Sequence, residues 1–271
     1  MTKNIKVFAG SILISAIFFF GMNFGTKVLT DMLSPQLFVA QVLQTPLLRH
    51  DVKGFTTNAR SALSVFVDEQ GKSEVLFEKN ANDSLPIASI TKLMTALIVM
   101  EQYDLDENAN DLLHSMLIES NNDSAKALSS MAGESNFLLL MNEKAKNIGL
   151  EKTFFVDAAG VNSKNVSTAH DLFLLSKYIM EQNPRVFDIL SLPRYTLHGE
   201  SRRAIKNTNE FLGGPLKIIG GKTGFTLEAR ECLVLLIQSP KDNGYLVNVV
   251  LGSENRFEDM NMIIDWASSI I

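Results

Sequence analysis

The sequence predicts an α+β domain, in which both ends of the domain form one antiparallel sheet and a cluster of helices is inserted between them. Two observations support this prediction. Segments of β character, separated by turn residues, lie at residues 61–78 and again at residues 216–251. Helical periodicity dominates residues 89–182, between the two groups of strands. The helices are therefore expected to pack beside a sheet that the two ends build together.

The individual strands follow from the turn residues that separate them. An early hairpin is expected to turn around Glu69-Gln70-Gly71, and a later one around Asp242-Asn243-Gly244. The predicted elements are strands at residues 61–67, 74–78, 216–220, 232–238 and 245–251 and a last helix at about residues 257–269.

The inserted helices begin with an apolar segment that carries a single charge. Lys92 is the only charged residue between Ser84 and Met100, and the segment is apolar on nearly all sides, so we expect a buried helix. Ser89 stands three residues before Lys92, on the same helical face. Burial and the helix dipole both lower the pKa of a lysine, and a neutral amine beside a hydroxyl is a general base. Alternatively, Lys92 extends its ammonium to water near the helix end.

A second polar cluster, Ser120-Asn121-Asn122, lies between helical segments at residues 111–119 and 123–131. We expect it to form a tight turn, with Asn121 as the residue of positive φ, since asparagine tolerates that conformation best after glycine. The alternative is a helix cap without a chemical role.

The third cluster is Lys222-Thr223-Gly224, between segments of β character. Glycines on both sides of Lys222 allow a ligand to approach the backbone closely. Lys222 and Thr223 are candidates to hold a carboxylate, and a second cation near Lys92 would help to keep that amine neutral. A solvated lysine on an edge strand is the alternative.

In this order, the three clusters and their surroundings resemble the D-alanyl-D-alanine carboxypeptidase family, low-molecular-weight penicillin-binding proteins of the serine β-lactamase-like fold. The resemblance covers most of residues 61–266. Its most specific part is Leu-Pro-Ile-Ala-Ser-Ile-Thr-Lys-Leu-Met-Thr-Ala-Leu at residues 85–97. Further support comes from residues 77–80, 165–172 and 220–226.

The resemblance implies a role for each residue of the first two clusters. Ser89 would attack the carbonyl of a D-Ala-D-Ala bond, and Lys92 would take the serine proton. Ser120 would relay a proton to the leaving amine, and Asn122 would contact Lys92 and the substrate amide. The backbone N–H groups of Ser89 and Phe225 would form the oxyanion hole.

The resemblance also implies the substrate and its contacts. Lys222 and Thr223, with Gly224 beside them, would hold the terminal carboxylate, and Arg256 resembles an additional carboxylate-recognising arginine. The implied substrate is a peptidoglycan stem peptide ending in D-Ala-D-Ala, β-lactams would be covalent inhibitors, and no cofactor or metal is expected.

Three features depart from the family pattern. Ser120-Asn121-Asn122 replaces the usual Ser-Gly-Asn, and Ala229-Arg230 replaces the usual Ala-Gly. The third departure is the connection between Lys92 and Ser120, which is considerably longer in the family. That longer stretch helps to wall the active site, so its loss is expected to change substrate preference.

Composition excludes several other functions. The net charge of −5 and the absence of a basic patch disfavour nucleic-acid binding. Four scattered histidines and one cysteine show no metal-ligand spacing.

The N-terminus predicts a membrane segment. Lys3 and Lys6 precede twenty uncharged residues, Val7 to Thr26, which are enough to cross a bilayer as a helix. We expect residues 1–26 to be an uncleaved anchor, with a cleaved signal peptide as the alternative. Residues 27–58 are predicted to be a tether and residues 59–271 the catalytic domain, outside the cytoplasm by the positive-inside rule.

A membrane-tethered serine-type D-Ala-D-Ala carboxypeptidase is therefore the leading hypothesis. A β-lactamase is an alternative of the same fold, but residues 152–180 contain no glutamate that could activate a deacylating water. A DD-endopeptidase and a non-catalytic peptidoglycan- or penicillin-binding relative also remain as alternatives.

Overall fold

A computed structural model describes residues 48–49, 56–199, 202–239 and 243–270. Its main sheet has six strands in the order β1-β3-β2-β10-β9-β8, all antiparallel except for the β1–β3 pair. Two small antiparallel pairs, β4–β5 and β6–β7, accompany it. The strands are β1 (Leu48–Arg49), β2 (Ser61–Asp68), β3 (Ser73–Lys79), β4 (Leu85–Pro86), β5 (Val166–Ser167), β6 (Arg194–Thr196), β7 (Ala204–Lys206), β8 (Ile218–Thr226), β9 (Arg230–Gln238) and β10 (Gly244–Ser253).

The helices confirm the predicted fold class, because all but the last lie between β3 and β8 in the chain. A short 3₁₀ turn, Ala88–Thr91, precedes the first helix and is called the serine turn below. The helices are α1 (Lys92–Gln102), α2 (Glu107–Ile118), α3 (Asn122–Ser130), α4 (Glu134–Asn147), α5 (Ala169–Gln182), α6 (Arg185–Leu190) and α7 (Arg256–Ile270).

The sheet separates α7 from the inserted helices. Leu233, Leu235 and Ile237 of β9 join a buried cluster with Met260 and Ile263 of α7. Residues two apart on a strand share a face, so the intervening residues of β9 point to the opposite side. There α5 packs on β2 and β10, α6 packs on β8, and the serine turn contacts β8 and β9. The serine turn therefore lies where the helical layer meets the edge strand of the sheet.

Two element boundaries differ from the predictions in ways that affect the site. The predicted strand at residues 216–220 begins later, and as β8 it runs through the whole Lys222-Thr223-Gly224 cluster. The cluster therefore lies within a strand rather than between strands. The predicted helix around Ser89 begins as the serine turn, and the α-helix starts only at Lys92.

The sheet and its contacts extend across the predicted domain boundary at residue 59. Leu48–Arg49, within the predicted tether, pair with β3, and Thr57 and Asn58 both donate hydrogen bonds to Asp259 of α7. The predicted anchor, residues 1–26, lies outside the described residues. Within the part of the chain that the structure describes, no helix is both long and apolar enough to cross a membrane.

Candidate active site

The serine turn is held between two glycine contacts. Ala88, just before Ser89, has φ of +47°, which few residues other than glycine adopt. A Cβ added at Gly160 would lie 1.8 Å from the Ala88 carbonyl oxygen, and one added at Gly224 would lie 3.0 Å from Ser89 N. Neither position has room for a side chain, so the backbone of β8 and that of a loop before α5 close directly on the turn.

Lys92 is fully buried beneath Ser89, so its amine does not extend to water as the alternative required. Its Nζ atom lies 2.8 Å from Ser89 Oγ and 2.7 Å from both Asn122 Oδ1 and the Ala159 carbonyl oxygen. Burial lowers the pKa of Lys92 to about 7, while the Asp157 carboxylate acts in the opposite direction.

The three contacts of Lys92 fit an ammonium, which can donate to all three oxygens, and they also fit the neutral amine that a general base must be. Asn122 Oδ1 and the Ala159 carbonyl oxygen accept hydrogen bonds, so they use both hydrogens of an –NH₂ group. The nitrogen lone pair is then left to face the Ser89 hydroxyl. This geometry orients Lys92 to accept the serine proton.

The turn at Ser120-Asn121-Asn122 differs from its prediction in one residue. Ser120, with φ of +62°, adopts the positive φ that was expected of Asn121. Asn121 instead caps α3, where its Oδ1 accepts a hydrogen bond from Ser124 N at 2.9 Å. Asparagine is a preferred N-cap, and an N-cap has extended rather than left-handed backbone. The cap fixes the start of α3 and so aims Asn122, its first residue, at Lys92.

Lys222 joins the third cluster to the second through a hydrogen bond with Ser120. Its fully buried Nζ lies 2.9 Å from Ser120 Oγ and donates to the Thr223 carbonyl oxygen at the same distance. Burial, then the charges of Lys92 and Arg256, lower the pKa of Lys222 well below its usual range. The structure thus contains two hydrogen-bonded serine–lysine pairs, Ser89 with Lys92 and Ser120 with Lys222.

Arg256 lies against the backbone of β8. Its Nη1 donates to the Gly224 carbonyl oxygen at 2.7 Å and to the Cys232 carbonyl oxygen at 3.3 Å. Its Nε donates to Glu231 Oε2 at 3.2 Å. Phe225, next to Gly224, has an exposed side chain. Recognition of a carboxylate by Arg256 stays a prediction, and the observed contacts are to the strand itself.

The sequence analysis missed the loop at residues 157–165, called the Asp157 loop. Asp157 Oδ1 accepts the N–H groups of Ala159 and Gly160, and Oδ2 accepts that of Asn162. Burial opposes ionisation, but these N–H groups still hold the pKa of Asp157 below its usual value. The loop supplies the Ala159 carbonyl to Lys92 and Gly160 to the serine turn. An aspartate followed three residues later by glycine was the available signal, but it is common in ordinary turns.

The fold and the Ser89–Lys92 pair define the class of active-site-serine peptidases and penicillin-binding proteins. The family model for D-alanyl-D-alanine carboxypeptidase matches residues 51–108 and 105–255, and the chain belongs to that family. The two matched segments meet between Lys92 and Ser120. The two segments overlap at residues 105–108.

Individual relatives agree with this assignment. A D-alanyl-D-alanine endopeptidase of Haemophilus influenzae is 34% identical over 195 residues, covering 59% of this chain and 65% of the relative. A D-alanyl-D-alanine carboxypeptidase of Bacillus subtilis is 26% identical over 257 residues, covering 82% of this chain and 66% of the relative. The chain thus spans slightly less than two thirds of these relatives. Penicillin-binding protein D2 of Listeria monocytogenes, solved with ampicillin, is 30% identical with a TM-score of 0.70, covering 79% of this chain and 99% of that one.

Proposed function

We propose that this protein is a serine-type D-Ala-D-Ala carboxypeptidase that acts on peptidoglycan stem peptides through an acyl-enzyme on Ser89. The observation that carries the proposal is the buried amine of Lys92, with a pKa of about 7 and a position 2.8 Å from Ser89 Oγ. A group titrating near neutral pH within hydrogen-bond reach of a nucleophile has both properties that a general base needs. Family membership supports the same reaction.

Acylation would proceed in two proton transfers. Ser89 Oγ attacks the carbonyl of the penultimate D-Ala while Lys92 Nζ takes the hydroxyl proton, and the oxyanion forms beside the N–H groups of Ser89 and Phe225. The leaving amine of the terminal D-Ala then receives a proton through Ser120 Oγ. The 2.9 Å contact of Ser120 with Lys222 supports this relay, because it keeps the hydroxyl oriented.

Substrate selection would depend on the terminal carboxylate. Burial, together with the nearby Lys92 and Arg256, disfavours the charged form of Lys222. A bound carboxylate reverses this, because an opposite charge at close range favours the ammonium. Thr223 Oγ1 adds a second donor or acceptor and is fixed by the Thr208 hydroxyl at 2.6 Å.

β-Lactams would acylate the same serine and leave it slowly. The ring carbonyl takes the place of the peptide carbonyl, and the carboxylate of a penicillin takes the place of the terminal carboxylate. Residues 152–180 contain no glutamate, and the nearby Asp157 carboxylate is occupied by backbone N–H groups. This segment therefore lacks the glutamate through which a class A β-lactamase activates its deacylating water.

The test compares a peptide ending in D-Ala-D-Ala with the same peptide as its C-terminal amide. The acid should release D-Ala and the amide should not. A charge-assisted hydrogen bond contributes about 1.5–3 kcal/mol, so Lys222→Ala should slow hydrolysis of the acid by roughly 10–100-fold and largely erase the preference. Equal cleavage of acid and amide by the unmutated protein would refute the assigned role of Lys222.

A DD-endopeptidase is the second candidate, because the Haemophilus influenzae relative carries that name. A cavity of about 890 Å³ beside the site also favours it, since a cross-linked substrate needs room for a second stem peptide. Asn121, Asp111 and Arg203 are among its lining residues. Incubation with monomeric and cross-linked muropeptides, followed by mass analysis, distinguishes the two activities by which substrate is consumed faster.

We further propose that residues 1–26 anchor the protein in the cell membrane, with the catalytic domain outside the cytoplasm. The uncharged segment Val7 to Thr26 and the preceding Lys3 and Lys6 support this topology. The full-length protein should remain in the membrane fraction at high salt and retain Met1 or Thr2. A mature N-terminus beyond residue 20 would identify a cleaved signal instead.

A further inference from the structure

Arg256 joins two strands at the point where β8 meets the serine turn. Its Nη1 donates to the carbonyl oxygen of Gly224 on β8 at 2.7 Å and reaches that of Cys232 on β9 at 3.3 Å. Gly224 and Cys232 are opposite each other in the ladder. A single donor reaches both carbonyls only if both point into the space between the two strands, so the Gly224 carbonyl points toward β9 and Arg256 holds it there.

The direction of one carbonyl fixes the direction of the next N–H. The Gly224 carbonyl and the Phe225 N–H belong to the same peptide unit, which is planar and trans, so the two groups point in opposite directions. With the carbonyl held toward β9, the Phe225 N–H must point to the other side of β8. That side is open, because β8 is the edge strand of the sheet.

At Gly224, the serine turn packs on a face of β8, beside this open edge. A Cβ on Gly224 would lie 3.0 Å from Ser89 N and 2.9 Å from the Ile87 carbonyl oxygen, so strand and turn are in direct contact. The Phe225 N–H therefore points to the open edge of the strand, next to the turn that carries the nucleophile. The backbone N–H groups of Ser89 and Phe225 are the two donors to which the proposed mechanism assigns the oxyanion.

We propose that Arg256 is a positioning residue of the oxyanion hole, which fixes the Gly224–Phe225 peptide so that the Phe225 N–H faces the reacting carbonyl. The inference rests on the proposed acyl-transfer function. It differs from the role that the resemblance implies, which is direct recognition of the substrate carboxylate.

Glu231 fixes the orientation of the Arg256 guanidinium. Its Oε2 accepts hydrogen bonds from both the backbone N of Arg256, at 2.9 Å, and the side-chain Nε, at 3.2 Å. The Arg256 side chain is 13% exposed, so it is largely withdrawn from solvent. A planar guanidinium held on one edge by a carboxylate presents its Nη1 in a fixed direction. Lysine, a flexible point charge, lacks this geometry.

The experiment separates positioning from carboxylate recognition by using two probes. Penicillin carries a carboxylate, whereas phenylboronic acid has none but forms a tetrahedral adduct with an active-site serine. We expect Arg256→Met to reduce the acylation rate constant for penicillin and the affinity for phenylboronic acid by similar factors, about 10–100-fold each. Removal of a complete oxyanion donor costs about 10²–10³-fold, and a misdirected donor should cost less. Arg256→Lys should have an acylation rate constant and a phenylboronic acid affinity nearly as low as those of Arg256→Met.

A spectroscopic measurement reports the oxyanion hole itself. In the penicilloyl-enzyme, the ester carbonyl lies where the oxyanion forms, and hydrogen bonding lowers its stretching frequency. The infrared band should move to higher frequency in Arg256→Met and, by a smaller amount, in Glu231→Gln. Arg230→Gln is the matched control, because it removes a half-exposed arginine of β9 paired with Glu254 at 3.5 Å. It should leave the band unchanged.

The outcomes are distinct. If only penicillin is affected, Arg256 recognises the carboxylate and the proposal is wrong. If neither probe nor the band changes, Arg256 has no role in the site. If Arg256→Met fails to fold, Glu231→Gln decides through the same three readouts, and an unchanged band overturns the proposal. Failure of the proposed function itself appears separately, as a lack of acylation in the unmutated protein.

Discussion

Gly160→Ala tests whether the Asp157 loop fixes the nucleophile. The added Cβ would lie 1.8 Å from the Ala88 carbonyl oxygen and 2.8 Å from Thr91 Oγ1, and real Cβ contacts are essentially never under 3.0 Å. Loop and serine turn must therefore separate by about 1.2 Å at this point. A misplacement of about 1 Å costs on the order of 10²-fold in rate, so acylation of Ser89 should fall by about that factor.

Two further costs accompany the displacement. Gly160 has φ of +81°, where an alanine is strained, and overpacking costs about 1–3 kcal/mol. Thermal or urea unfolding should show this loss while the protein remains folded. Gly213→Ala is the matched control, because Gly213 has a similar φ of +86° but nothing lies within 4 Å of its added Cβ. It carries the strain without the clash.

The assay is the second-order rate constant for acylation by a fluorescent penicillin, measured alongside the unfolding temperature. Gly160→Ala should lose about 10²-fold in rate, and Gly213→Ala should lose stability alone. Equal rates in Gly160→Ala and the unmutated protein would show that the position of the nucleophile does not depend on contact with the loop.

Two further predictions concern the pKa of Lys92 and the Asp157 loop. Only the neutral amine accepts the serine proton, so the acylation rate should rise with pH through about 7 and level off above it. A rate that is independent of pH between about 5.5 and 9 would exclude Lys92 as the base. Asp157→Asn removes a negative charge that raises the pKa of Lys92, so the acidic limb should move to lower pH, and the weakened loop should cost about 1–3 kcal/mol in urea unfolding. A shift to higher pH would contradict the assigned electrostatics.

The Ser89–Lys92 pair was predictable because its signal is local. A single charge within an apolar helical segment is costly, and the spacing of three residues places serine and lysine together whatever surrounds them. The sheet was predictable for a similar reason, since alternation and turn residues define strands one at a time. The antiparallel sheet built from both ends of the domain is confirmed.

The contacts that were missed join residues far apart in the chain. Lys92 donates a hydrogen bond to the Ala159 carbonyl oxygen, 67 residues away in the chain. Arg256 donates one to the Gly224 carbonyl oxygen, 32 residues away. Backbone carbonyls carry no sequence signal, because every residue has one. Ser120 rather than Asn121 has positive φ for a related reason. Two preferences of asparagine compete there, and capping of α3 prevails over the left-handed turn.

The central claim is that Ser89 is a nucleophile activated by Lys92, and mass mapping of the penicillin adduct tests it most directly. The protein is incubated with penicillin and digested, and the modified peptide is sequenced by mass spectrometry. We expect a single adduct on Ser89, which is lost in Ser89→Ala without a change in unfolding temperature. An adduct on another residue, or labelling that survives in Ser89→Ala, would contradict it.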